Sequence, residues 1–593
     1  MTRRWGAIVL LIAGCGGEDA AAPRGPDVDA ADALAIDAPQ SDATAADSGD
    51  ASRSPPALAA IADRVVAEDE LLVVPVVATD AVSVAAVGLP PGARFDRKTR
   101  AISFRPDFIQ GGLPPTKVTV QARNAAGTAE VSFAITVTDT IHPPELAVTK
   151  TEDLGSCRRL TLGQKTDAYT DSPGYAGRTF TAIAVVPKTA SKAARVPLRV
   201  PLHGLGGAPS ASTGCSAYVV VQPHDPMNSY FWGYSANLPG GSPTTGKVPP
   251  YTARRVLQLV DWAHRTQGGD PNRTFITGSS MGGAGAMTIG LLWARHFAGI
   301  DAWLGQAIAR NHRPARLATL EKLWGTRAAN LDDGAGMGVW DRLDLTRVLR
   351  DEDEAAGQFL FLKHGKDDAT IHFGAVTVAS PLTKQSFYQA LRGHPHYAVW
   401  DEGGHGPADP VMPDGWWDGG WSRIGDATAF LGLDRVVPAF ANASHDGDPG
   451  DGTGNGKVAW DESSGFAANV TIAGDTGWKG ELAGALNRHL RWDATKVVDT
   501  TDRLELPLRV LSGTGKDPPR AGYPTIDDKV AAKLPIVVDV TLRRVQRFVA
   551  DPGEKLAWEH GAQKGELTVG SDGTITVPRV ALGTEWTTLV VRR

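Results

Sequence analysis

"TFITGSSMGGAGAM" (Thr274–Met287) sends a β-branched run into a turn with glycines at 278, 282, 283 and 285. Of its two serines only Ser280 has glycine at both second neighbours, Gly278 and Gly282, so Ser280 and not Ser279 fits G-x-S-x-G. The pattern predicts a strand, a sharp turn and a helix, with the Ser280 hydroxyl raised above the end of a sheet. Such a turn needs small neighbours, because its backbone is strained and the helix must pack close to the strand it left. A glycine-rich surface loop has the same composition. The choice between them rests on whether the chain also supplies a base, an acid and an oxyanion site.

A serine hydroxyl becomes nucleophilic only beside a base. His405, in "VWDEGGHGPADP" (Val399–Pro410), stands in a glycine-rich loop straight after a strand-like run, where it can reach over a sheet edge. A carboxylate must then hold the imidazole in one tautomer. "FLFLKHGKDDATIHF" (Phe359–Phe373) ends a buried strand in a turn bearing Asp367 and Asp368, of which Asp368 is the better candidate and Asp367 the solvated neighbour. The order is Ser280, Asp368, His405, as strand-turn-helix nucleophiles of this kind follow. The Met281 amide opens the helix and can donate to a developing oxyanion. "VPLRVPLHGLGG" (Val196–Gly207) offers the second donor at Leu205 or Gly204, with Gly206 and Gly207 letting the backbone approach. His203 is expected to hold that loop through a hydrogen bond.

From 150 to 435 strand-like and helix-like runs alternate, which predicts a mostly parallel sheet flanked by helices. Together, "HGLGG", "GSSMGG", "HGKDD" and "GGHG" in this setting resemble the α/β-hydrolase superfamily. Within it they resemble the secreted esterases grouped with polyhydroxybutyrate depolymerases, feruloyl esterases and prolyl-oligopeptidase-like peptidases. The resemblance covers about half the chain. It implies ester hydrolysis by a Ser280–His405–Asp368 triad through an acyl-enzyme, with no metal or cofactor, on substrates that include polysaccharide or polymer esters. The stretch "PADPVMPDGWWDGGW" (Pro407–Trp421) departs from the short Trp-Pro loop of the depolymerase relatives, which puts polymer cleavage in doubt.

The flanks predict a multidomain chain, with a central α/β-hydrolase between two β-sandwich-like domains. Its 593 residues exceed one ordinary domain. "MTRRWGAIVLLIAGC" (Met1–Cys15) has a positive start and an apolar core too short to span a bilayer, so residues 1–15 form an export signal. "LIAGC" resembles a bacterial lipoprotein box, which implies cleavage before Cys15, its acylation, and an extracytoplasmic protein lipid-anchored to a bacterial membrane. Residues 16–54, rich in Ala, Asp and Pro, predict a disordered acidic tether. Residues 55–140 carry short alternating runs and resemble an Ig-like or cadherin-like sandwich, and 445–593 predict a second sandwich. Cys157 and Cys215 remain after Cys15 and lack metal-ligand spacing, so they are a possible disulfide. Asp446, Asp448 and Asp451 invite a calcium reading, but their spacing misses D-x-D-x-D-G and Lys457 stands where a bidentate Glu is wanted. The net charge of -6 and pI near 6.2 give no general attraction to nucleic acid.

Tyr230, Phe231, Trp232 and Tyr234, then Trp416, Trp417 and Trp421, either stack on sugar or phenolic rings or pack beneath loops. The segment 308–350 is a candidate cap. Three functions stay open: a carboxylic-ester hydrolase, a serine peptidase of the same fold, and a non-catalytic surface-binding lipoprotein.

Overall fold

The computed structural model describes residues 54–365, 368, 370–371, 373–401, 404–405, 431–450, 480–481, 484–511, 514–516, 527–529 and 533–593. The export signal with Cys15, nearly all of the acidic tether, Asp367, Asp451 and the tryptophans at 416, 417 and 421 lie outside these residues. Among the described residues no helix is long and apolar enough to cross a membrane.

At the centre lies a ten-stranded mixed sheet. Its spatial order is Ala147–Asp153, Cys157–Lys165, Thr179–Pro187, Val219–Gln222, Val196–Leu202, Gly269–Ser279, Gly299–Trp303, Phe359–Gly365, His396–Asp401 and Gly484–Leu486. The six from Val219–Gln222 to His396–Asp401 are parallel and the rest antiparallel. After Val196–Leu202 the chain adds Val219–Gln222 on one side, then crosses back to lay Gly269–Ser279 on the other. The strand order therefore reverses there. Loops leave the carboxyl ends in opposite directions at such a point and open a crevice, where ligands of open α/β sheets bind.

Side chains alternate across each strand, so the sheet has two apolar faces. Ile276, Ile300, Leu360, Leu362 and Ala398 belong to one core with Val256, Leu259 and Val260 of helix Tyr251–Thr266 and Ala286, Met287 and Ile289 of helix Met281–Leu292. Phe275, Phe359, Phe361 and Tyr397 belong to another, shared with the C-terminal β-region through Trp492, Leu504, Leu506, Val538 and Val540. The rings of Phe359 and Trp492 lie 5.7 Å apart. Arg544, half-buried with its pKa pushed by burial down to about 10, donates to the carbonyls of Ala298 and Gly432 and to Gln358 Oε1. A β-structure thus covers ground where helices usually lie in an α/β fold.

That C-terminal region has a three-stranded sheet of Val437–Ala441, Ile536–Arg543 and Ile575–Leu582, and a six-stranded one that includes Arg503–Val510, Thr587–Arg592 and Lys555–His560. The expected boundary between 435 and 445 shifts. Val437–Ala441 already pairs with Ile536–Arg543, while Gly484–Leu486 returns to extend the central sheet beside His396–Asp401.

Residues 57–138 form a four-stranded and a three-stranded sheet over a core of Val74, Ile102, Phe104, Val118, Val120, Phe133 and Ile135, besides a short two-stranded pair. In Thr116–Asn124 every second side chain from Val118 is buried, as a half-solvated strand requires. This module is fastened to the central domain: Asp107 meets His296 at 2.6 Å, and Arg295, paired with Glu354 at 2.6 Å, donates to the Arg105 carbonyl. A disulfide joins Cys157 to Cys215.

Candidate active site

Ser280 sits between strand Gly269–Ser279 and helix Met281–Leu292 with φ 61° and ψ −124°, a left-handed backbone for a non-glycine residue. Such a conformation costs on the order of 1–3 kcal/mol and persists only where its surroundings impose it. Two hydrogen bonds do so: Ser280 N–H donates to the Trp303 carbonyl (2.8 Å), and Ala284 N–H donates to the Ser280 carbonyl (3.0 Å). The glycines explain the rest. A Cβ on Gly278 would fall on the Gly282 carbonyl, and one on Gly282 would fall on the Leu202 carbonyl with the His203 oxygen 2.9 Å away. Gly283 is pressed against the Trp303 carbonyl in the same way. Helix and neighbouring strand therefore meet backbone to backbone, which only glycine permits.

The structure brings Ser280, His405 and Asp368 together from three separate loops. Ser280 Oγ and His405 Nε2 are 2.9 Å apart, and His405 Nδ1 lies 2.8 Å from Asp368 Oδ2 and 3.0 Å from Oδ1. An ionised carboxylate only accepts, so Nδ1 carries the proton and Nε2 presents its lone pair to the serine hydroxyl. Asp368 is wholly buried and its Oδ1 also accepts the amides of Thr370 (2.7 Å) and Ile371 (2.9 Å), which fixes its orientation. The His405 side chain remains about a third exposed, open to a substrate.

Met281 N–H, at the first position of its helix, has no carbonyl of its own helix to bond. Opposite, Val196–Leu202 ends at His203, whose ring fixes the next loop. Asp225 N–H donates to His203 Nε2 (2.9 Å), so Nδ1 carries the proton and donates to the Gly204 carbonyl (2.8 Å). Gly207 N–H donates to the same carbonyl, and Gly206, at φ 70°, donates its N–H to Asn228 Oδ1 (2.7 Å). Among the described residues, the amides of Gly204 and Leu205 have no acceptor. The expected donor pair, Met281 and Leu205, thus lies just beyond the carboxyl ends of strands Gly269–Ser279 and Val196–Leu202, where the strand order reverses.

The aromatic residues resolve differently from a sugar platform. Tyr230, Phe231, Trp232 and Tyr234 are all buried. Tyr230 (φ 56°) and Phe231 (φ 61°) turn left-handed, and the Phe231 ring packs 5.0 Å from that of His203. Sequence alone does not signal this inward turn. Asp225, also beyond the reach of motif reading, anchors the loop by accepting from Phe231 N–H (3.0 Å) and Ser229 Oγ (3.1 Å). Among the described residues no group of three His, Cys, Asp or Glu side chains could hold a metal ion. Asp446 is held by Asn487 N–H at 2.6 Å.

No established family profile matches the chain, and no curated protein sequence matches it. Among solved structures it is similar to an S-formylglutathione hydrolase from Agrobacterium tumefaciens, with 18% identity over 44% of this chain and 92% of that one, and a TM-score of 0.29. It is also similar to an acetyl xylan esterase from Paenibacillus sp. R4 (12% identity, 44% and 83% coverage, TM-score 0.30). A ferulic acid esterase is similar too (16% identity, 42% and 92% coverage, TM-score 0.29).

Proposed function

We propose that this protein is a serine hydrolase cleaving carboxylic esters, with Ser280 as nucleophile, His405 as general base and acid, and Asp368 as the residue holding the imidazole. The observation that carries the reading is the unbroken Asp368–His405–Ser280 hydrogen-bond chain, set on a strained turn.

In this mechanism Ser280 Oγ attacks the ester carbonyl carbon as His405 Nε2 takes its proton. Asp368 stabilises the resulting imidazolium without itself being protonated. The carbonyl oxygen becomes an oxyanion and accepts from the amides of Met281 and Leu205, whose positions are fixed before the reaction and need no reorganisation. Collapse returns the His405 proton to the departing alkoxide, releasing an alcohol and leaving the acyl group on Ser280. Water then repeats the sequence with His405 as base and releases the acid.

The test is hydrolysis of p-nitrophenyl acetate and butyrate by the protein and by Ser280→Ala. Loss of a triad nucleophile lowers turnover by up to roughly a million-fold. Equal turnover by both proteins would overturn the assignment. We also propose that Met1–Cys15 directs export and lipid attachment. Metabolic labelling with palmitate, abolished in Cys15→Ala, checks it.

A further inference from the structure

Where the N-terminal module meets the central domain, a cavity of about 530 Å³ opens that no step of ester cleavage uses. Helix Met281–Leu292 separates it from the nucleophile. Ser280 caps the first residue of that helix, and Leu292, its last, lines the cavity. The 12 residues between cap and cavity span about 18 Å of helix.

The walls are aromatic. Tyr169 and Trp293, both half-buried, line the cavity, and a second ring backs each of them. Phe108 lies 5.2 Å from Tyr169, and Trp232 lies 6.2 Å from Trp293. Trp232 donates its indole N–H to the Val248 carbonyl, whereas that of Trp293 has no acceptor among the described residues.

The lining also carries charges of both signs. Asp107 is taken by His296 (2.6 Å) and Asp333 by Arg342 (2.6 Å). Three others are left over. Among the described residues the Asp69 carboxylate has no partner, and neither Arg105 nor Arg254 has an ion pair. All three are nevertheless held in place. Asp69 N–H donates to the Pro106 carbonyl (2.8 Å), and the Asp69 carbonyl accepts from Arg105 (2.6 Å). Arg254 donates to the Tyr169 carbonyl (2.9 Å) and lays its guanidinium 4.0 Å over the Tyr169 ring. Opposite charges thus share one cavity, each anchored, without pairing.

That combination selects a ligand. A guanidinium only donates and an ionised carboxylate only accepts. An anion that suits Arg254 meets Asp69, and a cation that suits Asp69 meets two guanidiniums. A hydroxyl both donates and accepts, so neighbouring hydroxyls satisfy the two sides at once. A sugar ring carries hydroxyls around its edge and presents an apolar C–H face that packs on an aromatic one. The volume falls within the range of small-molecule pockets, about 300–1,000 Å³.

We propose that this cavity is a non-catalytic binding site for a neutral saccharide, with Tyr169 and Trp293 as its platform and Asp69, Arg105 and Arg254 binding hydroxyls. It holds carbohydrate at the far end of the nucleophile helix, apart from ester cleavage.

The experiment is isothermal titration of the full chain with cellobiose, xylobiose and glucuronate. Saturable binding of a neutral disaccharide is expected, with glucuronate weaker. Asp69→Asn preserves the fold, because asparagine tolerates the left-handed backbone at this position (φ 59°). Losing a hydrogen bond to a charged group should weaken binding by about 10-fold or more. Trp293→Ala should weaken it by about 3- to 10-fold, and Trp293→Phe by less. Circular dichroism verifies that each variant is folded. Ser280→Ala should bind the disaccharides as the wild type does, so the result stands apart from the esterase reading. No saturable binding of either disaccharide, tighter binding of glucuronate, or undiminished binding by Asp69→Asn and Trp293→Ala overturns the site. Binding lost in Ser280→Ala overturns it too, by placing the sugar at the nucleophile.

Discussion

Gly282→Ala tests whether the contact between the Ser280 helix and the adjoining strand matters to catalysis. The added methyl would overlap the Leu202 carbonyl oxygen, with the Leu202 carbon at 2.8 Å and the His203 oxygen at 2.9 Å. All three obstacles are backbone, so no side chain can swing aside. Restoring ordinary contact, about 3.5 Å between non-bonded atoms, requires helix and strand to part by about 1 Å. The two sides of that seam carry the two proposed oxyanion donors, Met281 on the helix and Leu205 in the loop after His203. Parting them therefore acts directly on oxyanion stabilisation. A displacement of about 1 Å costs roughly 100-fold in rate, and overpacking a tight contact costs typically 1–3 kcal/mol of stability. The assay is kcat on a p-nitrophenyl ester together with thermal unfolding. Gly240→Ala serves as control, because a Cβ there meets nothing within 4 Å. A Gly282→Ala enzyme within threefold of the parent kcat would refute the reasoning.

Reduction of Cys157–Cys215, which closes a loop with a sequence separation of 58, should lower stability by about 4 kcal/mol on chain-entropy grounds, read by denaturant titration with and without dithiothreitol. Burial pushes the His264 pKa down to about 3, whereas the unfolded imidazole titrates near 6.5. Its contribution is therefore present above pH 6.5 and lost as pH falls toward 3. His264→Gln should flatten the dependence of stability on pH between 6 and 4 by about 1.4 kcal/mol per pH unit. Deleting residues from 431 onward should yield an aggregating protein, since it uncovers Phe275, Phe359, Phe361 and Tyr397. A soluble, monodisperse truncation would show that the C-terminal region is dispensable to the central sheet.

How far the sequence carried this picture follows from what each residue type must do. The glycines at 278 and 282 were legible because their role is steric and local: nothing larger fits where backbone meets backbone. Asp368 and His405 were legible from their loops and their order. The Tyr230–Tyr234 aromatics were not, because two successive left-handed residues turn the rings inward and no pattern of apolar spacing encodes that. The sheet-covering role of the C-terminal region was hidden as well. "FLFLKHG" (Phe359–Gly365) shows a strand buried on both faces, yet says nothing of whether helix or sheet buries it. The short return of Gly484–Leu486 to the central sheet depends on a partner more than eighty residues earlier, beyond any local signal.

The central claim is that Ser280 is an activated nucleophile, and the most direct measurement is covalent labelling by a fluorophosphonate followed by peptide mass spectrometry. The account predicts one modified residue, Ser280, with labelling abolished in Ser280→Ala and slowed by about ten-thousand-fold in Asp368→Asn, where the imidazole loses its partner. Labelling on another residue, or an unlabelled Ser280 in the folded wild type, would contradict it.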